Sequence, residues 1–450
     1  VLLKIQKEFP QAKNLFSRSS FIGRVDIIRR RLADRILKTH ENGRAIDTIR
    51  RDRTEQYQID PRLPHVLMKD PSILILGLAG DGVTKTAKFM SRQVDGVEIN
   101  PAMVDLQKNK LSNYNAGSYE GIDVSVIDGR SFLQSSKKRY DMITLLNIHT
   151  ARGSIHQSVV SAEYLHTQEA VRDCLDHLTD RGILSVEEPV NDEPGREPPV
   201  WKMLVTMRRA LSDHGVVNPE KHFFVFQWKT ATNNYIQILL KKTPFPEKEI
   251  TDLKAWLEDL SDLEAKESVA GKSLGPIHAK TTLLFSPDES SVTAYGKILR
   301  GLASREFLRA HNLETTTDDR PFHFNVDPRG SAIKAVYHWT LLAAVGLIPF
   351  LIWFGRRSRL KARELLPYLA LSGLTGAGYL LIELVLMQRY QFFLTSPIVV
   401  FCVVLGTLMV FSGIGSFLSG KAGPRAAVLS IAAILLLLIL KPGRSSVPIT

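Results

Sequence analysis

The sequence predicts an α/β domain, built on a parallel sheet with an antiparallel edge hairpin, followed by a transmembrane α-helical region. Three observations predict it. From residue 72 to 213 short β-branched runs alternate with helical stretches, which implies parallel strands with helices on both faces. The stretch "HFFVFQWKTATNNYIQILLKK" (His222–Lys242) reads as two strands around a Thr-Asn-Asn turn, an antiparallel edge. Beyond residue 336 the chain becomes apolar in blocks of about 20 residues, the length that crosses a bilayer.

Residues 1–65 are polar and basic, carry a helical stretch near "DIIRRRLADRIL" (Asp26–Leu37), and point to no function. The domain at 66–245 follows, with strands expected at 73–76, 93–98, 122–127, 141–146 and 182–187. Helices are expected at 101–111, 162–178 and 200–213. Residues 246–333 read as a polar connector, part helical and part loop, ending in "TTTDDRPFHFNVDP" (Thr315–Pro328). The region 334–450 divides into four spans, about 336–355, 367–388, 398–418 and 426–440. Small residues in "GLTGAGYLLIE" (Gly373–Glu383) and "SGIGS" (Ser412–Ser416) permit close helix contact. Glu383 lies near the end of its span, where pairing with Gln388, Arg389 or a partner helix is preferred over a polar path. The chain opens at Val1 rather than methionine, as a fragment would.

Composition narrows the function. A length of 450 residues allows two or three domains, and the net charge is +12. Anionic lipid is the favoured partner for that charge, because "RRSRLKAR" (Arg356–Arg363) adjoins apolar spans. No basic-aromatic platform appears, so nucleic acid is not expected. Two cysteines, Cys174 and Cys402, build neither a disulfide framework nor a metal cluster, and no metal site is expected.

The chemistry starts at "SILILGLAGDGVTK" (Ser72–Lys85), a buried strand followed by Gly77, Gly80, Asp81 and Gly82. Bare backbone lets a ligand approach, and the amides of a helix starting near Val83 attract negative charge. The spacing Gly77-x-Ala79-x-x-Gly82 approximates a dinucleotide fingerprint, a weak signal alone. The next strand, "QVDGVEINP", ends in Glu98, an acid placed to accept both ribose hydroxyls of a nucleoside. The third, "IDVSVIDGRSFL", ends in Asp128 and Gly129, where an acid can accept from an adenine amino group. Asp81 is placed to meet the ammonium of a methionine-like tail. A turn at Asp128-Gly129 and a solvated strand end at Glu98 are the bland alternatives; all three tips in order favour a pocket.

Together "ILILGLAGDG", "VDGVEINP", "VIDGRSFL", "YDMITLL" and "LTDRGILSV" resemble the S-adenosylmethionine-dependent methyltransferase fold, and within it the spermidine synthases, the polyamine aminopropyltransferases. The resemblance covers about residues 72–240. It implies a Rossmann-like sheet and, as the nucleoside, S-adenosylmethionine or decarboxylated S-adenosylmethionine. It makes Glu98 the ribose-binding acid, Asp128 the adenine-side acid and Asp81 the acid holding the tail. A membrane-bound spermidine synthase-like subgroup is similar in "LLNIHT" (Leu145–Thr150), "YLHTQE" (Tyr164–Glu169), "TDDRPF" (Thr317–Phe322), "LIELVLMQRYQFFLTSP" (Leu381–Pro397) and "FSGIGSFLSG" (Phe411–Gly420).

Aminopropyl transfer needs a base to take a proton from a cationic diamine. The family's aspartate after the fourth strand falls here on Leu146 or Asn147, neither of which is a base. A second family acid falls on or near His149, whose ordinary pKa suits a general base; packing of the loop is an equal alternative. Asn147 would position the substrate or shape the turn. Glu187 and Glu188, at the tip of the fifth strand, would attract a cationic substrate, with at least one of them expected to be a solvated strand end. Three functions stay open: an aminopropyltransferase acting on an amine, a methyltransferase using the same pocket, and a non-catalytic membrane protein that keeps the fold. The expected partners are a nucleoside donor, an amine acceptor and the bilayer, with homo-oligomerisation left open. The basic loops at 356–363 and 420–425 would by charge lie in the cytoplasm and put the nucleoside domain outside. Since S-adenosylmethionine is a cytoplasmic metabolite, the expectation is a multi-pass membrane protein with a cytoplasmic catalytic domain.

Overall fold

The computed structural model describes residues 10–20, 24–29, 36–41, 44–50, 60–78, 82–146, 163–190, 197–229, 234–270, 280–289, 293–326, 362–390 and 397–419, with isolated positions elsewhere. They fall into two compact units, Val1–Trp339 and Thr340–Thr450.

The first unit opens with a four-stranded antiparallel sheet, β1 (Lys13–Ser19), β2 (Arg24–Arg29), β3 (Ile36–Glu41) and β4 (Arg44–Arg50), in that order. This corrects the helical stretch expected near Asp26–Leu37. The run Val25-Asp26-Ile27-Ile28 is β-branched at three of its four positions and is buried in a strand. Val25, Ile27, Leu37 and Ile49 pack on Ala102, Met103, Leu106 and Leu111.

The main sheet has eight strands. They are β5 (Ser72–Leu76), β6 (Gln93–Val97), β7 (Asp123–Ser125), β8 (Tyr140–Leu145), β9 (Leu178–Pro189), β10 (Phe223–Lys229), β11 (Asn234–Lys241) and β12 (Lys280–Phe285). Their order is β12-β10-β11-β9-β8-β5-β6-β7. β5 to β9 are parallel, while β11, β10 and β12 add antiparallel to β9. Helices α1 (Gly82–Met90), α2 (Pro101–Asp105, continuing as a π turn over Leu106–Lys110), α3 (Gly129–Ser135), α4 (Gln168–Asp176) and α5 (Pro198–Asp213) lie between strands. A doubly wound, Rossmann-like sheet results.

Burial on both faces explains the unbroken apolar run of β5. Leu74 and Leu76 join the core under α4 and α5, while Ile73 and Ile75 join Val83, Ala87 and Met142 on the opposite face. Asp95 sits buried within the sheet, accepting from Tyr140 Oη (2.7 Å), Lys138 Nζ (2.7 Å) and Gln93 Nε2 (2.9 Å). Burial opposes its charge, but these bonds hold its carboxyl below the usual range.

The stretch 246–333 is more than a connector. It holds α6 (Glu247–Ala270), β12, α7 (Ala294–Leu299) and α8 (Arg305–Ala310). Ile250, Leu253, Trp256, Leu257 and Leu260 form a buried stripe of helical period along charged α6. Phe285, Tyr295, Ile298, Leu299 and Leu313 enter the central core. β12 pairs with β10, so the hairpin β10–β11 is not the edge of the sheet.

The second unit contains α9 (Ala362–Tyr390) and α10 (Pro397–Ser419), at the second and third expected spans. Within α10, Val400–Phe417 has mean hydropathy 2.1 and is the one described helix long and apolar enough to cross a membrane. In α9 the apolar run Ser372–Met387 is shorter. Leu374, Leu381, Phe411 and Phe417 are exposed. Most of span 336–355, and all of 426–440, lie outside the described residues.

Candidate functional site

Strands β6 and β7 leave β5 on one side, β8 and β9 on the other, so the connections reverse direction at β5. The crevice beyond the carboxyl ends of the strands at such a switch point is where α/β sheets bind ligands. Gly77 ends β5 there with φ of 89°, a conformation that favours glycine. Its N–H donates to Val97 O at 2.9 Å. Gly80 and Asp81 lie outside the described residues, and Gly82 opens α1.

Glu98, just past β6, is not a solvated strand end: it is 8% exposed. Its N–H donates to Ser125 O at 3.1 Å, and its Oε1 accepts from Asn100 N at 2.9 Å. Asn100 in turn caps α2, accepting from Ala102 N (3.0 Å) and from Ser20 Oγ of the first sheet (2.9 Å). Asp128 is the N-cap of α3, with Oδ1 accepting from Ser131 N at 3.0 Å. Gly129 admits a close neighbour, since a Cβ there would lie 2.9 Å from Leu165 Cδ1. The structure therefore gathers Gly77, Glu98, Asp128 and Gly129 at successive strand ends. Asn147 and His149 lie outside the described residues. Leu146 is buried and donates its N–H to Leu76 O at 2.9 Å.

Neither Glu187 nor Glu188 is solvated, which corrects the expectation for the fifth strand. β9 runs on to Pro189 and is flanked by β11, so the two residues are 3% and 0% exposed. Adjacent strand residues face opposite sides. Glu187 Oε2 lies 3.8 Å from Arg62, which itself clamps Asp60 through two 2.8 Å bonds. Glu188 meets two histidines instead, with His166 Nε2 at 3.3 Å and His323 Nε2 at 3.6 Å from its Oε1. The imidazoles are stacked, their centroids 4.4 Å apart at 19°. One ligand-type atom from each of the three residues lies within 4.8 Å of the others.

Long-range bonds hold this cluster together. His166 closes the short turn Tyr164–His166, and Thr167 then caps α4 by accepting from Ala170 N. His323 arrives on the segment 314–326. Asp318 accepts from Thr167 Oγ1 (2.6 Å) and Arg130 (3.1 Å), and its N–H donates to Glu169 (2.9 Å). Glu163 N donates to Pro321 O at 2.7 Å. Buried Lys202 donates to Phe322 O (3.1 Å) and Asn325 O (2.9 Å). Burial lowers its ammonium pKa to about 8 although Glu314 opposes the shift. Burial also disfavours a charged His166, but the hydrogen bond and charge of Glu188, with the charge of Glu163, hold it above the ordinary histidine value. His323 is pushed down to about 4, by burial and then by the charge of His166. The two imidazoles thus share the Glu188 carboxylate and are shifted in opposite directions. The sequence singles out "YLHTQE" and "TDDRPF" without giving either a chemical role, and leads to the expectation of no metal site. The only signal in it is a histidine within or beside each motif.

No family model matches the chain, and no curated protein matches it. Among solved structures it is similar to a spermidine synthase from Thermotoga maritima, at 18% identity over 53% of this chain and 75% of that one, with a TM-score of 0.39. It is also similar to a spermidine synthase in complex with the transition-state analogue AdoDATO, at 18% identity over 53% and 75%, with a TM-score of 0.38. A probable spermidine synthase from Corynebacterium glutamicum aligns at 13% identity over 60% of this chain and 90% of that one, with a TM-score of 0.40.

Proposed function

We propose that the first unit binds an S-adenosylmethionine-type nucleoside at the switch point and is a spermidine synthase-like transferase, moving an aminopropyl group from decarboxylated S-adenosylmethionine to an amine. The observation carrying this reading is the ordered edge at the ends of β5, β6 and β7: Gly77 with positive φ, the buried Glu98 carboxylate, and Asp128 at the start of α3. Glu98, pre-oriented by Asn100 N, accepts the ribose hydroxyls. Asp128 accepts from the adenine amino group. Gly80, Asp81 and Gly82 cradle the tail. His149 takes a proton from the amine, and Asn147 positions it. The freed nitrogen lone pair attacks the aminopropyl carbon beside the sulfonium, the C–S bond breaks, and the sulfur leaves with its electrons as a neutral thioether nucleoside.

Methyl transfer from S-adenosylmethionine in the same pocket is the second reading. It is favoured by the position where an aminopropyltransferase would carry its proton-accepting aspartate, which here is buried Leu146 or Asn147, neither a base. The second unit belongs, in this proposal, to a multi-pass membrane region with the nucleoside unit on the cytoplasmic side. Its support is α10, whose apolar surface is largely exposed.

The test incubates full-length protein in detergent with each donor and a panel of polyamines, and reads products by mass spectrometry. The expected product is an aminopropylated amine from the decarboxylated donor, falling about 10²–10⁴-fold in His149→Ala. A methylated product from S-adenosylmethionine alone transfers the assignment to the second reading. Saturable binding without turnover leaves a non-catalytic nucleoside-binding protein. Release of the chain from membranes by alkaline carbonate overturns integral insertion.

A further inference from the structure

We propose that His166, Glu188 and His323 form a binding site for one divalent transition-metal ion, zinc in the first instance. The two imidazole Nε2 atoms converge on a single oxygen, Glu188 Oε1, at 3.3 and 3.6 Å. A tetrahedral zinc with ligands at about 2.0–2.2 Å sets its donor atoms roughly 3.3–3.6 Å apart. Both histidine–carboxylate spacings therefore match what one ion would impose, and the three donors all lie within 4.8 Å of one another. Two imidazoles and a carboxylate are a donor set that zinc takes readily, whereas magnesium and calcium prefer oxygen alone.

Burial supplies a second, independent argument. All three side chains are at most 1% exposed. Among the described residues His323 Nδ1 has no hydrogen-bond partner, and Nε2 has only the long 3.6 Å approach to Glu188 Oε1. An imidazole so placed loses its hydration for little in return, a costly arrangement that proteins rarely keep. An ion at the point of convergence gives that nitrogen a partner. It also ties together three segments remote in sequence: the turn before α4, the end of β9 and the segment 314–326. With three protein ligands a water completes the tetrahedron, and the burial of all three makes cross-linking the fold the ion's role. The site does not depend on which donor the strand ends bind.

The test uses tag-free, full-length protein in detergent, stripped with a chelator and titrated with Co(II) as a spectroscopic substitute for zinc. The expected result is one ion per chain with the visible absorption of a tetrahedral site, displaced by zinc. Glu188→Gln and His323→Gln should each lower affinity at least about tenfold, the loss typical even for groups that only support a ligand. Folded wild type that takes up no ion overturns the proposal, as does unchanged binding in a variant whose circular dichroism is native. If both variants fail to fold, hydrogen exchange of the wild type decides. Zinc must slow exchange in peptides spanning 163–168 and 318–326, and exchange indifferent to zinc overturns the site.

Discussion

The carboxylates at the ends of β6 and β7 are anchored by their near neighbours in the chain, Glu98 by Asn100 N and Asp128 by Ser131 N. Glu188 is anchored by side chains from elsewhere, His166 before α4 and His323 near the end of the first unit. The first arrangement rests chiefly on local turns at the carboxyl ends of the strands. The second needs the whole unit assembled, and is sealed from solvent. Local anchoring suits a binding edge that must tolerate an empty state. Remote anchoring makes the cluster report on tertiary structure, so damage to it should appear first as lost stability.

That contrast can be broken by substitution. The largest effect is expected at Glu188→Ala, which removes the buried carboxylate that both His166 and His323 face. Removing one member of a buried pair costs about 3–5 kcal/mol, read as a fall in unfolding temperature in detergent. A loss as small as that of a surface residue would show that the cluster does not carry the fold. Asp318→Ala comes next. It removes the acceptor for Thr167 Oγ1 and Arg130, at about 2 kcal/mol for lost charged bonds. Faster proteolysis within 314–326 should accompany it, and an unchanged cleavage pattern would mean that segment is held by other contacts.

Asp95→Asn sharpens the comparison through pH. Because the folded carboxyl titrates below its ordinary range, its contribution is complete above about pH 4, where the unfolded carboxyl is ionised too. It is lost as pH falls further, when the unfolded chain takes up the proton first. Wild type should thus exceed Asp95→Asn by about 1–2 kcal/mol at neutrality, the gap closing in acid. A gap independent of pH would assign the effect to packing. A stability effect of about 1.5 kcal/mol is expected at Glu98→Ala for the charged bond that Asn100 N donates to it. The same change should weaken nucleoside binding about tenfold by calorimetry, through the lost ribose acceptor. Unchanged affinity would remove Glu98 from the binding edge.

The same distinction between local and remote anchoring governs what is legible in the amino-acid sequence. β5 is legible because a doubly buried strand is a nearly unbroken apolar run. β6, β7 and β8 are mixed runs that follow from the alternation with helices, and the tips bearing Gly77, Glu98 and Asp128 follow from where β5, β6 and β7 stop. β2 is obscured by Arg29, Arg30 and Arg31, whose helical propensity masks the β-branched residues before them. The helical character of α6 is legible but its place in the core is not, because its stripe, Ile250 to Leu260, is diluted by charge. The cluster at Glu188 is illegible for a different reason: no spacing in the chain relates residues 166, 188 and 323. Their meeting is a property of the strand order.

The position of β12 limits how the protein can be divided. Residue 245 is a natural place to cut by pattern, since the alternation of strand and helix ends there. A chain ending there would lose β12 and leave the hydrogen-bonding groups of β10 open along its length. β10 is rich in Phe, Val and Trp, and an uncovered apolar edge of that kind recruits other chains. The shortened protein would polymerise edge to edge rather than remain a smaller soluble version of itself.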